Sequence, residues 1–231
     1  MRVLITGSAG AIGSTLVEGL KERHQVRGFD REPTPGIEDF VVGDIVDEEK
    51  VRNASEGMDA IIHLVNVPGG EWEHSLQNMI GTYNVLEGAR QHGAKRVVYA
   101  SRAGVLPQSY YPRSIQRTVH MPTRPESYYS VTKVFAEGLG YMYTARHDLE
   151  FVAVRIGNFN RDRPHPEHPH QLGHADCVRL FEQAITHPDV GFEIVFGVSD
   201  SDWPLYDLDH GRRAIGYDPQ DRSEVPEDKR V

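Results

Sequence analysis

The sequence predicts an α/β fold: a doubly wound parallel sheet with helices on both faces and a small C-terminal appendage. Two observations carry that prediction. Short, almost purely apolar runs alternate with stretches of helical periodicity as far as residue 156, as expected of strands buried on both faces of a parallel sheet. The first of those runs leads straight into glycines at positions 7, 10 and 13 and then into a helix.

Taken in order, Arg2 to Thr6 is the first strand. Ala11, Ile12, Leu16, Val17 and Leu20 then recur at helical intervals, and a second strand, Gln25 to Phe29, ends at Asp30. Gly7, Gly10 and Gly13 lack side chains where a backbone must approach a pyrophosphate and where a helix must lie close to a sheet. The free N–H groups and positive end of that helix suit phosphate charge. Asp30, 23 positions beyond Gly7, is placed to accept hydrogen bonds from an adenosine ribose, and its charge repels a 2′-phosphate. Together these make a Rossmann-like dinucleotide site that favours NAD over NADP, with Arg31 the one dissenting neighbour.

Beyond Asp30, Pro33 and Pro35 mark a loop. Phe40 to Val42 is a short strand, Asp47 caps a helix through Ser55, and Ala60 to Val65 is a fourth strand. Pro68-Gly69-Gly70 precedes a helix over about 71–92. The strand Val97 to Ser101, a long proline- and tyrosine-rich loop, a helix over 128–146 and the strand Phe151 to Ile156 follow. Such sheets place ligands beyond the carboxyl ends of their strands. After Gly157 the periodicity stops. Residues 158–174 are rich in Pro, Gly and His, a helix spans 176–186, a short strand spans 193–196, and Gly216 C-caps a last helix with Pro219 beyond. A single domain is expected, with a core over 1–157 and substrate-side elements over 158–231.

Composition narrows the function classes. A net charge of −9 has the wrong sign for nucleic acid or an anionic membrane surface. No run approaches ~18 consecutive apolar residues, and the first strand starts at once, so neither a membrane span nor a signal peptide is expected. Cys177, the single cysteine, reads as a small buried apolar residue and leaves no intrachain disulfide. A cytoplasmic protein is the expectation.

Tyr129 and Lys133 stand four apart at the start of a helix and share one face. A phenol is a poor base at its ordinary pKa of about 10, and a neighbouring ammonium draws that value down. The pair follows the fifth strand of a dinucleotide fold, which is where acid–base chemistry is needed.

With these pieces assembled, the sequence resembles the extended short-chain dehydrogenase/reductases, or NAD-dependent epimerase/dehydratases. The likeness lies in TGSAGAIG, Asp30, GDI at 43–45, HLV at 63–65, NMIGTYN at 78–84, VVYAS, YSVTK and VRIGN. Within the family it is similar to the short sugar dehydrogenases of uronate dehydrogenase and NAD-dependent glucose-6-phosphate dehydrogenase type, and the tail FEIVFGVSDSD…AIGYDPQD extends the likeness over nearly the whole chain. The resemblance implies NAD-dependent oxidation of an aldose hydroxyl. It implies that Gly7, Gly10, Ala11, Ile12 and Gly13 hold the pyrophosphate, Asp30 with Arg31 the ribose edge, and Asp44 and Ile45 the adenine. It places Leu64, Val65 and Asn66 along the nicotinamide path, with Asn78 shaping the site. Tyr129 would be the base, Lys133 would touch the nicotinamide ribose, and Ile156 would lie beside the carboxamide. It also implies a homodimer through the helices near 71–92 and 128–146, with Tyr141, Met142 and Tyr143 against the partner.

The substrate side departs from the family. Arg102 stands where the family has its catalytic serine, Pro68 and Asn158 replace substrate-contacting serines, and the arginine that grips a uronate carboxylate has no counterpart in the shorter loop. Three readings follow: Ser101 supplies the missing hydroxyl after a shift of the strand end, Arg102 polarises the substrate oxygen, or the site keeps NAD without chemistry. Arg102, Arg161 and Arg163 are candidates for a phosphate or carboxylate pocket, alongside Asn158 as a further substrate residue. His165, His168, His170 and His174 read as loop histidines, so no metal is expected. The sequence thus predicts a NAD-dependent dehydrogenase of a sugar-like small molecule. The alternatives are a nucleotide-sugar epimerase or dehydratase with bound NAD, which the 75 residues after Ile156 leave little room for, and a catalytically impaired NAD-binding protein.

Overall fold

The computed structural model describes residues 1–230. Seven strands form one sheet: β1 Arg2–Thr6, β2 Gln25–Asp30, β3 Phe40–Val42, β4 Ala60–His63, β5 Arg96–Arg102, β6 Glu150–Ile156 and β7 Phe192–Gly197. They are parallel throughout, in the order β3-β2-β1-β4-β5-β6-β7. Pleating sends successive side chains to opposite faces. Val3, Ile5, Val98, Val152 and Val154 therefore join one core, packed by α1 (Ala11–Leu20) and α5 (His174–Thr186). Leu4, Ile61, Val97, Phe151 and Ala153 join the other, under α2 (Glu48–Ser55), α3 (Trp72–His92) and α4 (Tyr128–His147). The inner strands β1, β4, β5 and β6 are buried on both sides, which is why their runs read as apolar rather than alternating.

Local chemistry sets the element ends. Asp47 caps α2 by accepting from the Lys50 N–H at 3.1 Å, and Ser127 caps α4 by accepting from the Ser130 N–H at 3.2 Å. Gly93 closes α3 in the left-handed conformation, φ 72°.

Two departures from the sequence reading matter. The short tail strand is the seventh strand of the main sheet, with Ala153 in register with Ile194 beside β6. Its first three residues are only half-buried, as befits a sheet edge, so its apolar run is too broken to read as a core strand. The fourth strand ends at His63 rather than Val65: after the Leu64 N–H donates to the Thr6 carbonyl at 3.0 Å the chain leaves the ladder. That departure opens the mouth of the site. The tail is clasped by Asp176, fully buried at the start of α5, which accepts from Ser199 Oγ and from the N–H groups of Gln220 and Asp221. Among the described residues no helix is long and apolar enough to cross a membrane.

Candidate functional site

The strand order reverses between β1 and β4, and a groove of about 500 Å³ opens there at the carboxyl ends of the strands. Its floor is the glycine turn. Gly7 has φ +77° and donates its N–H to the Phe29 carbonyl at 2.7 Å. A Cβ on Gly13 would stand 2.1 Å from the Gly7 carbonyl oxygen, so no other residue lets the first turn of α1 lie on this loop. Gly7, Gly10, Ala11, Ile12, Gly13, Asp30, Arg31, Asp44, Ile45, Leu64, Val65 and Asn66 all line the groove. Asp30 is held at its rim by the N–H groups of Ala9 at 3.0 Å and Arg31 at 2.7 Å. The first N–H groups of α1 have no acceptor within the helix and face a site shaped for an anion.

One side of α3 sets three walls of this groove. Asn78 accepts from the Val67 N–H at 2.8 Å and donates to the Val67 and His74 carbonyls, pinning the loop after β4. A Cβ on Gly81 would meet Ile45 at 2.6 Å, and Asn84 Nδ2 donates to the Ile45 carbonyl at 2.9 Å. Thr82 is hydrogen-bonded to His63, which is bonded in turn to Thr6 at 2.7 Å. Burial pushes His63 down to about 3, so the ring is neutral. Sequence reasoning singled out Asn78 alone. The polar and glycine positions of the NMIGTYN run, 78, 81, 82 and 84, were the available signal.

Tyr129 and Lys133 lie at the end of β5, the strand next to β4. Lys133 Nζ donates to the Ala100 carbonyl at 2.8 Å and sits 4.8 Å from the Tyr99 ring centroid and 5.0 Å from that of Tyr129. Burial, then the nearby Arg102 charge, bring Lys133 down to about 7. Burial raises the Tyr129 phenol, and the charge that opposes it is Arg102 rather than Lys133.

Arg102 lies over the Tyr129 ring, 5.1 Å from its centroid, and donates to Ser130 Oγ at 3.3 Å. Gly104 makes the room: a Cβ there would meet Arg102 Nη2 at 2.5 Å. Ser101 does not face this group. Its hydroxyl donates to Glu137 Oε1 at 2.7 Å, and Glu137 is clamped by Arg155 through Nε at 2.9 Å and Nη2 at 2.8 Å, all three residues buried. Strand pleating puts 101 and 102 on opposite faces, so Ser101 reaches Tyr129 only by a register slip.

The three arginines expected to share an anion pocket have separate partners. Arg161 donates to the Ala9 carbonyl at 3.2 Å, on the glycine turn, and Arg163 pairs with Glu167 at 2.5 Å on an exposed loop. Asn158 is tied through its backbone to His170 and Leu172, and Ile156 closes β6 in register with Arg102. Phe159, Val67 and Gln77 also line the groove, with no spacing in the sequence to mark them. Of the four loop histidines, His170 Nδ1 bonds the Tyr206 hydroxyl at 2.8 Å and His174 Nε2 the Asn160 carbonyl at 2.8 Å. Tyr143, expected at a partner surface, is buried within the chain and donates to Glu87 at 2.6 Å.

Comparison with known proteins gives the relationship. The sequence model of the NAD dependent epimerase/dehydratase family matches residues 3–189. The chain is 36% identical to the NAD-dependent glucose-6-phosphate dehydrogenase of Haloferax volcanii, across 96% of this chain and 94% of that protein. It is 35% identical to a uronate dehydrogenase of Pseudomonas syringae pv. tomato, across 97% and 83% respectively. Among solved structures it matches uronate dehydrogenase from Agrobacterium tumefaciens, in a tyrosine-to-alanine variant complexed with NAD, with a TM-score of 0.87 at 32% identity over 96% of this chain and 85% of that one.

The buried Ser101–Glu137–Arg155 group yields a stability prediction. Glu137→Ala strands the Arg155 guanidinium in the core and lowers unfolding free energy by about 3–5 kcal/mol. Ser101→Ala removes one hydroxyl and costs about 1–3 kcal/mol. Urea denaturation of the two variants gives both values, and similar losses would show that the ion pair is not what holds this face together.

Proposed function

This chain belongs to the NAD-dependent epimerase/dehydratase family, and we propose that it is a NAD-dependent dehydrogenase that oxidises a hydroxyl of a sugar, sugar acid or sugar phosphate. The observation that carries this reading is Tyr129, flanked by Lys133 and Arg102, at the strand end next to the groove over the glycine turn. The relatives described above act, by name, on a sugar phosphate and on uronates.

The groove fits NAD. Gly7, Gly10, Ala11, Ile12 and Gly13 would hold the pyrophosphate, Asp30 the adenosine ribose, Asp44 and Ile45 the adenine, and Leu64, Val65 and Asn66 the path toward Lys133 and Ile156. When bound, NAD supplies the hydride acceptor. The protein's own contribution is to receive the proton: Tyr129, as its phenolate, takes it from the sugar hydroxyl. Burial holds that phenol above its ordinary pKa and the Arg102 guanidinium counters the effect. Arg102 therefore does two things at one place. It eases Tyr129 toward its basic form, and it donates a hydrogen bond to the substrate oxygen without being able to take the proton itself. With Ser101 committed to Glu137, the donor role falls to Arg102. Arg161, on the Ala9 carbonyl, stands on the cofactor side rather than the substrate side. The Asp30 carboxylate favours NAD over NADP.

Exposed apolar side chains run along the outer faces of α3 and α4: Trp72, Leu76, Ile80 and Tyr83 on one, Tyr128, Val131, Phe135 and Met142 on the other. The two helices pack side by side, and the Trp72 and Tyr128 rings meet at 5.7 Å. A homodimer through this paired surface accounts for apolar area that a monomer would leave wet.

Three outcomes test this account. NADH forms with at least one member of a panel of uronates, aldose phosphates and free aldoses, faster with NAD than with NADP, and Tyr129→Phe lowers kcat by about 10²–10⁴ while NAD still binds. If NAD binds but no sugar yields NADH, the dehydrogenase reading fails. The alkaline rise of kcat/KM moves to higher pH in Arg102→Ala, because the cation that lowers the Tyr129 pKa is gone; an unmoved limb removes Arg102 from the mechanism. Sedimentation velocity shows a dimer that Ile80→Asp with Phe135→Asp converts to monomer, and a wild-type monomer refutes the interface.

A further inference from the structure

The side chains around the groove have the wrong sign for the most highly charged part of NAD. The lining carries three carboxylates, Asp30, Glu32 and Asp44, against one cation, Arg31, whose backbone is tied to Asp30 at the rim. The first turn of α1 meets a pyrophosphate with free N–H groups and a dipole worth about half an elementary charge. That helix contains no lysine or arginine. A cation reaches the glycine turn from another part of the chain. Arg161, 152 residues beyond Ala9, donates from Nη2 to the Ala9 carbonyl at 3.2 Å. Ala9 itself lines the groove, next to Gly10. A guanidinium has five N–H donors. The carbonyl takes one of them, and among the described residues no carboxylate takes the rest. Arg163, two positions on, is by contrast paired with Glu167.

The segment that carries Arg161 is firmly placed. A Cβ on Gly157 would stand 2.0 Å from the His170 carbonyl oxygen, so only glycine lets the chain leave β6 along this path. The Asn158 N–H donates to the His170 carbonyl at 2.6 Å, and the Leu172 N–H donates to the Asn158 carbonyl at 2.8 Å. The Phe159 ring lines the groove and stacks on His174, with centroids 4.8 Å apart and planes at 15°. His174 Nε2 bonds the Asn160 carbonyl at 2.8 Å. Three consecutive residues are thus fixed to the start of α5, and they set the point from which Arg161 reaches the turn. A side chain placed beforehand gives up less freedom when its ligand arrives.

We propose that Arg161 is a cofactor-binding residue: its guanidinium pairs with the pyrophosphate of NAD, and the loop after β6 is a strap across the glycine turn. This rests on the NAD groove of the dehydrogenase reading and adds to it a residue from the substrate-side part of the chain. The Ala9 carbonyl steadies one N–H, and the remaining donors suit paired phosphate oxygens. The charge that the acidic lining lacks is supplied in this way from a distant loop.

The test is calorimetric titration of NAD, ADP-ribose and NADP into the full-length protein and its Arg161→Ala, Arg161→Lys and Arg163→Ala variants. ADP-ribose carries the pyrophosphate without a nicotinamide or a 2′-phosphate. Arg161→Ala weakens NAD and ADP-ribose alike, by about fivefold to twentyfold at low salt. The loss shrinks in about 1 M sodium chloride, where an exposed charge pair is screened. Arg161→Lys keeps the charge without the fork and loses less, and Arg163→Ala loses nothing. Arg161 is exposed, so thermal unfolding of the nucleotide-free variants matches that of the wild type. ADP-ribose affinity unchanged in Arg161→Ala, or a loss equal at both salt concentrations, overturns the proposal. So does a loss confined to NADP, which assigns Arg161 to a 2′-phosphate, or a wild-type protein that does not bind ADP-ribose. The dehydrogenase reading fails separately, when no sugar yields NADH although ADP-ribose binding depends on Arg161.

Discussion

The close contact between Gly13 and the Gly7 carbonyl is the constraint on which the rest of the molecule depends. It leaves no space for even a methyl group, and it sets α1 directly on the turn after β1. Only with the helix seated there do its first N–H groups face the groove, and only then does Asp30, at the end of β2, come within hydrogen-bonding distance of the Ala9 N–H. The reversal of strand order between β1 and β4 holds the groove open on its far side. Geometry of this kind is inexpensive in sequence, needing three glycines and an acid, but it requires a whole parallel sheet to hold it.

The opposite wall is a matter of α3. That helix has a weakly amphipathic sequence because its inward face carries Asn78, Gly81, Thr82 and Asn84 among its apolar residues. Each of these is engaged with the backbone or side chain of a loop that lines the groove or a strand beneath it. The polar residues are buried and bonded, so they fix loop positions rather than weaken the core. The same helix turns an apolar stripe outward, beside that of α4.

Around Tyr129 the balance of charge differs from what the Tyr-x-x-x-Lys spacing alone suggests. Lys133 is buried and donates a hydrogen bond to the Ala100 carbonyl, and Arg102 lies over the phenol ring, where its charge offsets the effect of burial on Tyr129. Desolvation explains the exchange: an ammonium shifts its pKa when buried, while a guanidinium stays charged. One residue further back, Ser101 is drawn to the other face by Glu137 and Arg155. A single step along β5 thus separates a side chain on the Tyr129 ring from one bonded into the core.

The sequence by itself determined the sheet, the glycine turn, the acid at the end of β2 and the pairing of Tyr129 with Lys133. All of these are local or periodic, written in apolar runs, fixed glycine spacings and helical i, i+4 geometry. Even most element ends were legible, because caps such as Asp47 and Gly216 act within a turn of themselves. Tertiary structure alone decided which face of β5 Ser101 takes, that the tail strand joins the main sheet, and that Arg161 and Arg163 find partners apart from Arg102. Those outcomes depend on residues far apart in the chain meeting across loops without periodicity, and a charge carries no mark in sequence of the partner it will face.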